Sequence, residues 1–403
     1  MTRQQGGLGL DYAQFGCVVQ LGGLTLSKTR QQGGLNLDYL LDYVNARQEE
    51  DVRRISMRHP EGTGRRGLPM TFRDREKERY KKLKPKLFSP AAQGEGNYRG
   101  RPRSFCLADD YSSENLYEAI RAPAIEYFRA RNITWHDGLK ERHVPSNHLC
   151  CSQSCCINFL YPMTTSLKLL ASVFQYFYRS LAEPLLIDED KPLPKYLAFE
   201  WIGVRDYLGE TRRKGSNRTR GANFTSADFI FRFRRKDGKI QIVLGEWKYT
   251  EEYRRLDKGI EVRKQNYQQA FNREGGVFKR RDVDFYDALF FDLFYQLMRL
   301  QLLAQEMELG REMDADIVSV LYICPEANKE FRERVTSPKL EQMFPNKGVL
   351  EIWKELVPKD KFMSISVEDL LDIIAQRVEV NNWEWIDYLR ARYGWKKELE
   401  AES

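Results

Sequence analysis

Two carboxylates and a lysine lie close together in the stretch Thr225 to Tyr253, TSADFIFRFRRKDGKIQIVLGEWKYTEEY. The runs Ala227–Arg234 and Lys239–Tyr249 read as strands joined by a turn at Lys236-Asp237-Gly238. The length of that turn decides which side chains meet. A two-residue Asp237-Gly238 loop would set Asp228 opposite Trp247. A three-residue loop with Gly238 left-handed sets Arg235 opposite Lys239 and Asp228 opposite Glu246. Opposed residues share a face of a sheet, and Glu246 and Lys248, two apart on one strand, share a face as well. Only the longer loop gathers Asp228, Glu246 and Lys248 at one point, and it is the expected register.

Such a group suits phosphodiester hydrolysis. Carboxylates hold Mg²⁺, a hard cation that prefers oxygen ligands and keeps several waters. The metal stabilises charge on the phosphate and acidifies a bound water. A lysine orients that water or helps deprotonate it, and offsets charge in the transition state. The face leading to the pair is Ile240, Ile242 and Leu244, and an apolar face that ends in Glu and Lys is unusual, because unpaired buried charge is costly. A buried ion pair at a sheet end is the alternative, and Asp followed later by Glu-x-Lys is a weak pattern by itself.

The elements that must position these residues follow the hydrophobic pattern. Ser112 or Ser113 caps a helix to about Arg131, and a second, strongly apolar helix runs from about Thr164 to Leu181. Tyr196–Val204 reads as a strand before the hairpin, Asp282–Glu308 as one long helix, and Asp316–Cys324 as a buried strand ended by Pro325. Val367–Val378 behind a Ser366 cap and Trp383–Tyr393 read as helices. Helix, three strands, helix, strand implies an α/β fold with a mixed central sheet flanked by helices.

That order, with Asp228 as the motif aspartate and Glu246-Trp247-Lys248 as the (D/E)xK element, resembles the PD-(D/E)xK nuclease superfamily. Three stretches resemble its restriction-endonuclease-like group more narrowly: His148–Met163 (HLCCSQSCCINFLYPM), Phe199-Glu200-Trp201, and Glu246–Glu251 (EWKYTE). The group tends to Ser-Ser-Gln where this chain has Cys151-Ser152-Gln153, and Ala227 stands where the motif has its proline. The resemblance covers roughly residues 147–325. It implies a restriction-endonuclease-like core, Mg²⁺ with Mn²⁺ able to substitute, a nucleic-acid substrate with DNA ahead of RNA, and a role in restriction or defence; a homodimer stays open. Many such nucleases take an acidic residue from the first helix, but Thr164–Leu181 has none, so Glu200 is the expected fourth catalytic and metal-binding residue. An edge glutamate facing solvent is its alternative. Gln153 supports the site on resemblance only; Gln296 and Gln301, on the long helix, are weaker candidates.

Just before Asp228, Arg212, Arg213, Lys214, Arg218 and Arg220 occupy a Gly/Ser/Asn-rich loop placed to grip phosphates, or simply a solvated loop. His143, His148, Cys150, Cys151, Cys155 and Cys156 could hold zinc, but there is no Cys-x-x-Cys and the surroundings suit buried free cysteines, so zinc is not expected.

Composition sets the frame. The chain has 403 residues, 42% hydrophobic and 12% aromatic, enough for a sizeable core and two domains. No apolar run could span a membrane and no secretion signal is expected, so the expected location is the cytoplasm. Asp51 to Cys106 holds sixteen Lys/Arg against six Asp/Glu, a local +10 within a net +7, which suits a polyanionic partner. Thr2–Tyr12 and Thr29–Tyr39 are near-identical copies, TRQQGGLGLDY and TRQQGGLNLDY, too few and too short for a solenoid. Leu40–Arg54 reads as helical and His59–Arg103 as loop. The expected division is a repeat-containing, loosely packed basic arm over 1–108, the nuclease core over 109–330 and a helical extension over 331–403. Two rivals remain: a catalytically inactive nucleic-acid-binding module of the same fold, and a scaffold that binds no nucleic acid.

Overall fold

In a computed structural model, the described residues are 11–13, 16–21, 24–29, 70–138, 143–187, 196–211, 218–221, 224–253, 255–280, 282–379 and 383–395. Two compact units divide at Pro69 and Met70. The first contains an antiparallel sheet of β1 (Asp11–Ala13), β2 (Gly16–Leu21) and β3 (Leu24–Thr29). The helix expected over Leu40–Arg54 and most of the repeat lie outside the described residues.

The second unit is built on one mixed sheet. Its strands are β6 (Leu181–Pro184), β7 (Leu197–Trp201), β8 (Ala227–Arg235), β9 (Ile240–Trp247), β10 (Ile317–Cys324) and β11 (Phe362–Ser366). A short hairpin of β4 (Gly96–Tyr98) and β5 (Arg101–Arg103) precedes them. The order is β11-β10-β9-β8, with β6 and β7 sharing the far edge of β8. β8 pairs antiparallel with β6, β7 and β9, whereas β9, β10 and β11 run parallel.

Side-chain alternation explains why both faces are covered. Phe229, Phe231 and Phe233 of β8 with Val243 and Trp247 of β9 face one apolar cluster; Ile230, Ile242 and Leu244 face the other. The first face is covered by α1 (Phe72–Leu87), α2 (Arg121–Ala130), α3 (Ser152–Leu160), α4 (Leu167–Phe177), and by α11 (Val367–Arg377) and α12 (Trp383–Tyr393). The second is covered by α5 (Glu261–Phe271), α6 (Val283–Ala288), α7 (Phe294–Leu309), α8 (Lys329–Glu333), α9 (Pro338–Met343) and α10 (Val349–Leu356). The expected mixed sheet flanked by helices is present.

Several expected boundaries are corrected. The compact unit begins at Met70, not Asp109. α1 lies inside the stretch read as loop, capped by Thr71, whose Oγ1 accepts from the Asp74 N–H. It buries Phe72, Glu76, Tyr80 and Lys84, at intervals of four that lie on one helical face. The Lys84 ammonium donates to the carbonyls of Gly94, Ser104 and Cys106 at 2.6–3.1 Å, which tolerates its burial. The 331–403 segment is no appendage either, since β11 extends the sheet and α11 and α12 complete its first layer. The helix expected over Asp282–Glu308 breaks at Leu293, φ 70°. The helix expected over Thr164–Leu181 ends at Phe177, and Leu181 opens β6.

A chain beginning at Asp109 would lose α1. Truncating one buried aromatic typically costs about 3–5 kcal/mol, and α1 supplies two, so the loss rivals the whole stability of about 5–15 kcal/mol. That truncation is expected to abolish the cooperative thermal transition, while a chain beginning at Met70 keeps it. A sharp melt from the Asp109 chain would show α1 to be dispensable.

Candidate active site

The hairpin adopts the longer loop. The Arg235 N–H donates to the Lys239 carbonyl at 2.8 Å and the Gly238 N–H to the Arg235 carbonyl at 3.0 Å. Gly238 has φ 83°, which a side chain would disfavour. Phe229 pairs with Gly245, and the next step of this register sets Asp228 opposite Glu246. Gly245 is required for another reason: a Cβ there would lie 1.9 Å from the Phe229 ring, so only glycine lets that ring cross β9 beside Glu246.

On the other edge of β8, Phe199 pairs with Phe229 and Trp201 with Ala227. Glu200 therefore stands opposite Asp228, and Glu200, Asp228 and Glu246 form a row across three adjacent strands. Glu200 has φ 53° inside its strand, a left-handed conformation that costs a non-glycine residue about 1–2 kcal/mol. Strain of this kind collects at functional sites, where the surroundings over-determine it. Here they do so. Arg220 Nε donates to the Glu200 carbonyl at 3.1 Å and its Nη2 to the Phe199 carbonyl. The Glu200 carboxylate accepts from Gln153 Nε2 at 2.6 Å and from Ser226 Oγ at 3.0 Å.

Lys248 Nζ is 2.6 Å from Glu246 Oε1, and both side chains are about nine-tenths buried. Burial works to lower the Lys248 pKa, but Glu246, then Tyr253, Glu251 and Asp228, more than reverse this, so the ammonium stays charged. Charged in this way, Lys248 is suited to orient water or offset negative charge. Asp228 Oδ2 accepts the Trp247 N–H at 2.5 Å. Burial pushes its carboxyl well above the usual range, Glu246 and Glu200 push further, and Lys248 and the Trp247 N–H oppose them.

The donor set is all oxygen, the chemistry a hard divalent cation would take. Glu246 and Asp228 lie beside Lys248, and Glu200 acts on Asp228 from the next strand, so the buried negative charge exceeds what one lysine offsets. In β10, Tyr322 pairs with Glu246, and its buried hydroxyl has no hydrogen-bond partner among the described residues. Among the described residues no group of three His, Cys, Asp or Glu side chains is set to hold a metal ion, so a shared ion would require the carboxylates to draw closer.

The other candidates fall variously. Gln153, near the start of α3, is buried and also accepts the His136 N–H at 2.8 Å, so it holds Glu200 in place. Arg212, Arg213 and Lys214 lie outside the described residues. Arg218 and Arg220 are half-buried and engaged by backbone carbonyls. Arg218 donates to the Gly203 and Ile202 carbonyls and Arg220 to those of Phe199 and Glu200; they brace β7 and the chain after it. Gln296 accepts from Tyr253 Oη at 2.9 Å, beside Lys248, whereas Gln301 is turned to the Lys361 carbonyl. Cys150, Cys155 and Cys156 are buried free thiols pushed well up by burial. His148 is lowered to about 3 by burial and packs against the Tyr98 and Phe105 rings.

Three residues at the site carried no sequence signal. The half-exposed His136 has Nε2 3.9 Å from Glu200 Oε1. Arg299 of α7 donates to Thr225 Oγ1 at 2.8 Å and to Glu210 at 3.3 Å, bracing the start of β8. Tyr322 lies in a strand whose apolar run hides it. Only the tertiary fold brings these three to the hairpin.

A mixed sheet between two helical layers, with a row of carboxylates and a lysine at its strand ends, places the protein in the restriction-endonuclease-like α/β class. More narrowly, the chain belongs to the family described as Restriction Endonuclease associating with ARP, whose model matches residues 73–394. The matched span starts within α1 and ends just after α12. No curated protein and no solved structure matches the chain. No helix among the described residues is long and apolar enough to cross a membrane.

Proposed function

We propose that this protein is a metal-dependent endonuclease that hydrolyses phosphodiester bonds in DNA, with Asp228, Glu246, Lys248 and Glu200 as its catalytic residues. The observation that carries this reading is the carboxylate row Glu200–Asp228–Glu246 with one buried lysine. Asp228, Glu246 and Glu200 would hold Mg²⁺, or Mn²⁺ in its place, which when bound supplies an acidified water and charge stabilisation at the phosphate. The chain's own residues do the rest. Lys248, kept charged by Glu246, faces the developing negative charge. Gln153 and Ser226 fix the Glu200 carboxylate, and Arg220 fixes the backbone that carries it. Phosphate contact from the basic loop falls to Arg212, Arg213 and Lys214.

The test is to incubate plasmid and single-stranded DNA and RNA with the protein in Mg²⁺ or in EDTA. Nicking or linearising of plasmid in Mg²⁺ alone is the expected result. Salt-sensitive binding without cleavage under any divalent metal would instead favour the inactive binding module, and no binding at all the scaffold.

Gln153 offers a graded check. Groups that hold a metal ligand typically cost 10–100-fold in affinity or activity when removed. Gln153→Ala is expected to lower the rate about that much at limiting Mg²⁺ and to recover partly at high Mg²⁺. A Mg²⁺ titration superimposable on that of the natural protein would remove Gln153 from the site.

A further inference from the structure

We propose that the cleft between α8, α9 and the start of α10 carries the sugar-phosphate backbone of duplex DNA beyond the cleavage site; this rests on the nuclease reading above. The cleft has a volume of about 1040 Å³. It opens at the end of the sheet where the carboxylates lie. β9 and β10 run parallel and finish together, with the Lys248 N–H on the Ile323 carbonyl at 2.8 Å. After β10, Asn328 Nδ2 donates to the carbonyls of Tyr249 and Glu251, fastening the start of α8 to the chain that follows Lys248. The Tyr253 ring packs on Phe331 of α8 at 5.4 Å, and its hydroxyl donates to Gln296.

The unpaired cations argue for the occupant. Lys329 and Arg334 line the cleft, are exposed, and have no ionic or hydrogen-bonded partner among the described residues. Arg332 lies between them, with Nη1 on Cys324 Sγ at 3.7 Å. At the rim, Arg255 is paired with Glu341 and Lys347 with Glu355, so those cations are neutralised. Glu326 and Glu333 also line the cleft, exposed and unpaired among the described residues, as does Glu351, whose carboxylate accepts the Gly348 N–H at 2.8 Å. Unpaired cations strung beside a phosphodiester-cleaving site match the regular negative charge of a nucleic-acid backbone, and such contacts position the duplex without reading its sequence. Glu326 and Glu333 weaken that grip, and their removal gives the test a second sign.

Fluorescence anisotropy of a labelled duplex with the full chain in EDTA measures binding without cleavage. Lys329→Ala with Arg334→Ala is expected to weaken binding roughly tenfold or more near 0.1 M salt. It should also reduce the slope of log K against log salt by about 2, the contribution of two phosphate contacts. Glu326→Gln with Glu333→Gln is expected to tighten binding several-fold. The cleavage rate at saturating duplex stays unchanged in both. If the natural protein binds duplex and neither double variant changes affinity or slope, the cleft is overturned and the nuclease reading stands. A double variant that binds as before but cuts more slowly at saturation also overturns it. If the natural protein binds no duplex at any salt, the cleft proposal falls, and the nuclease reading falls with it only if plasmid is also left uncut in Mg²⁺.

Discussion

Glu246→Gln is expected to keep the fold and lose at least about 10²–10³-fold of the cleavage rate, the scale seen when one preorganised electrostatic group is removed from an active site. Glutamine preserves the shape and can still accept a hydrogen bond from Lys248, but it brings no charge to a metal. Alanine at these positions is a harsher change. Glu246 and Lys248 are a buried pair 2.6 Å apart, and deleting one partner of such a pair leaves the other uncompensated at about 3–5 kcal/mol. Lys248→Ala is therefore expected to lose both activity and several degrees of thermal stability, whereas Lys248→Met combined with Glu246→Gln loses activity alone. The measurements are Mg²⁺-dependent plasmid cleavage and a thermal melt on each purified variant. If Glu246→Gln, folded and melting like the natural protein, cuts at more than about a tenth of its rate, Glu246 does not hold the metal.

The hairpin was readable because its chemistry is local. Lys236-Asp237-Gly238 supplies one residue able to turn left-handed, and parity then sends Asp228 toward Glu246. The Ser366 cap was readable for the same reason, its Oγ accepting the Asp369 N–H at 2.9 Å. What escaped depended on partners distant in sequence. In α1 two of the four buried positions are Glu76 and Lys84, so the apolar stripe that marks a packed helix is half polar. Glu76 is paid for by Arg79 and by the hydroxyl of Tyr249, 173 residues on, and Lys84 by three carbonyls of the chain that follows. A basic segment was visible; its acceptors were not. The break at Leu293 was hidden because Leu289, Phe290 and Phe291 continue the apolar run without Gly or Pro. Glu200 was found as a residue, yet its left-handed backbone was not, since nothing local demands it and Arg220 and Gln153 impose it. At residues 218 and 220 the cations were legible, but not the carbonyls of Ile202, Gly203, Phe199 and Glu200 that hold them.

Asp228→Asn is expected to stabilise the metal-free protein while abolishing cleavage. The sign follows from the raised carboxyl pKa of Asp228, which comes from burial first and then from Glu246 and Glu200. Between the ordinary aspartate pKa near 4 and its raised folded value, the native state holds a proton that the unfolded chain has released. Stability therefore falls as pH rises through that window and stays at the lower level above it. Asparagine removes the ionisation and can still accept the Trp247 N–H through its amide oxygen, so at neutral pH in EDTA the variant should gain about 1 kcal/mol or more, the scale of a single stabilising substitution. Below pH 4 the difference should vanish, because Asp228 is then neutral in both states. Mg²⁺ reverses the comparison. A ligand that binds only the folded state stabilises it by about 2.7 kcal/mol at a hundred times its dissociation constant, and that gain belongs to the natural protein alone, since asparagine brings no negative charge to the ion. Thermal melts of both proteins, in EDTA and in Mg²⁺, across pH 3.5 to 8, decide the matter. A metal-free variant less stable than the natural protein at pH 7 would mean that Asp228 is a satisfied structural carboxylate. Equal Mg²⁺ stabilisation of the two proteins would place the ion elsewhere.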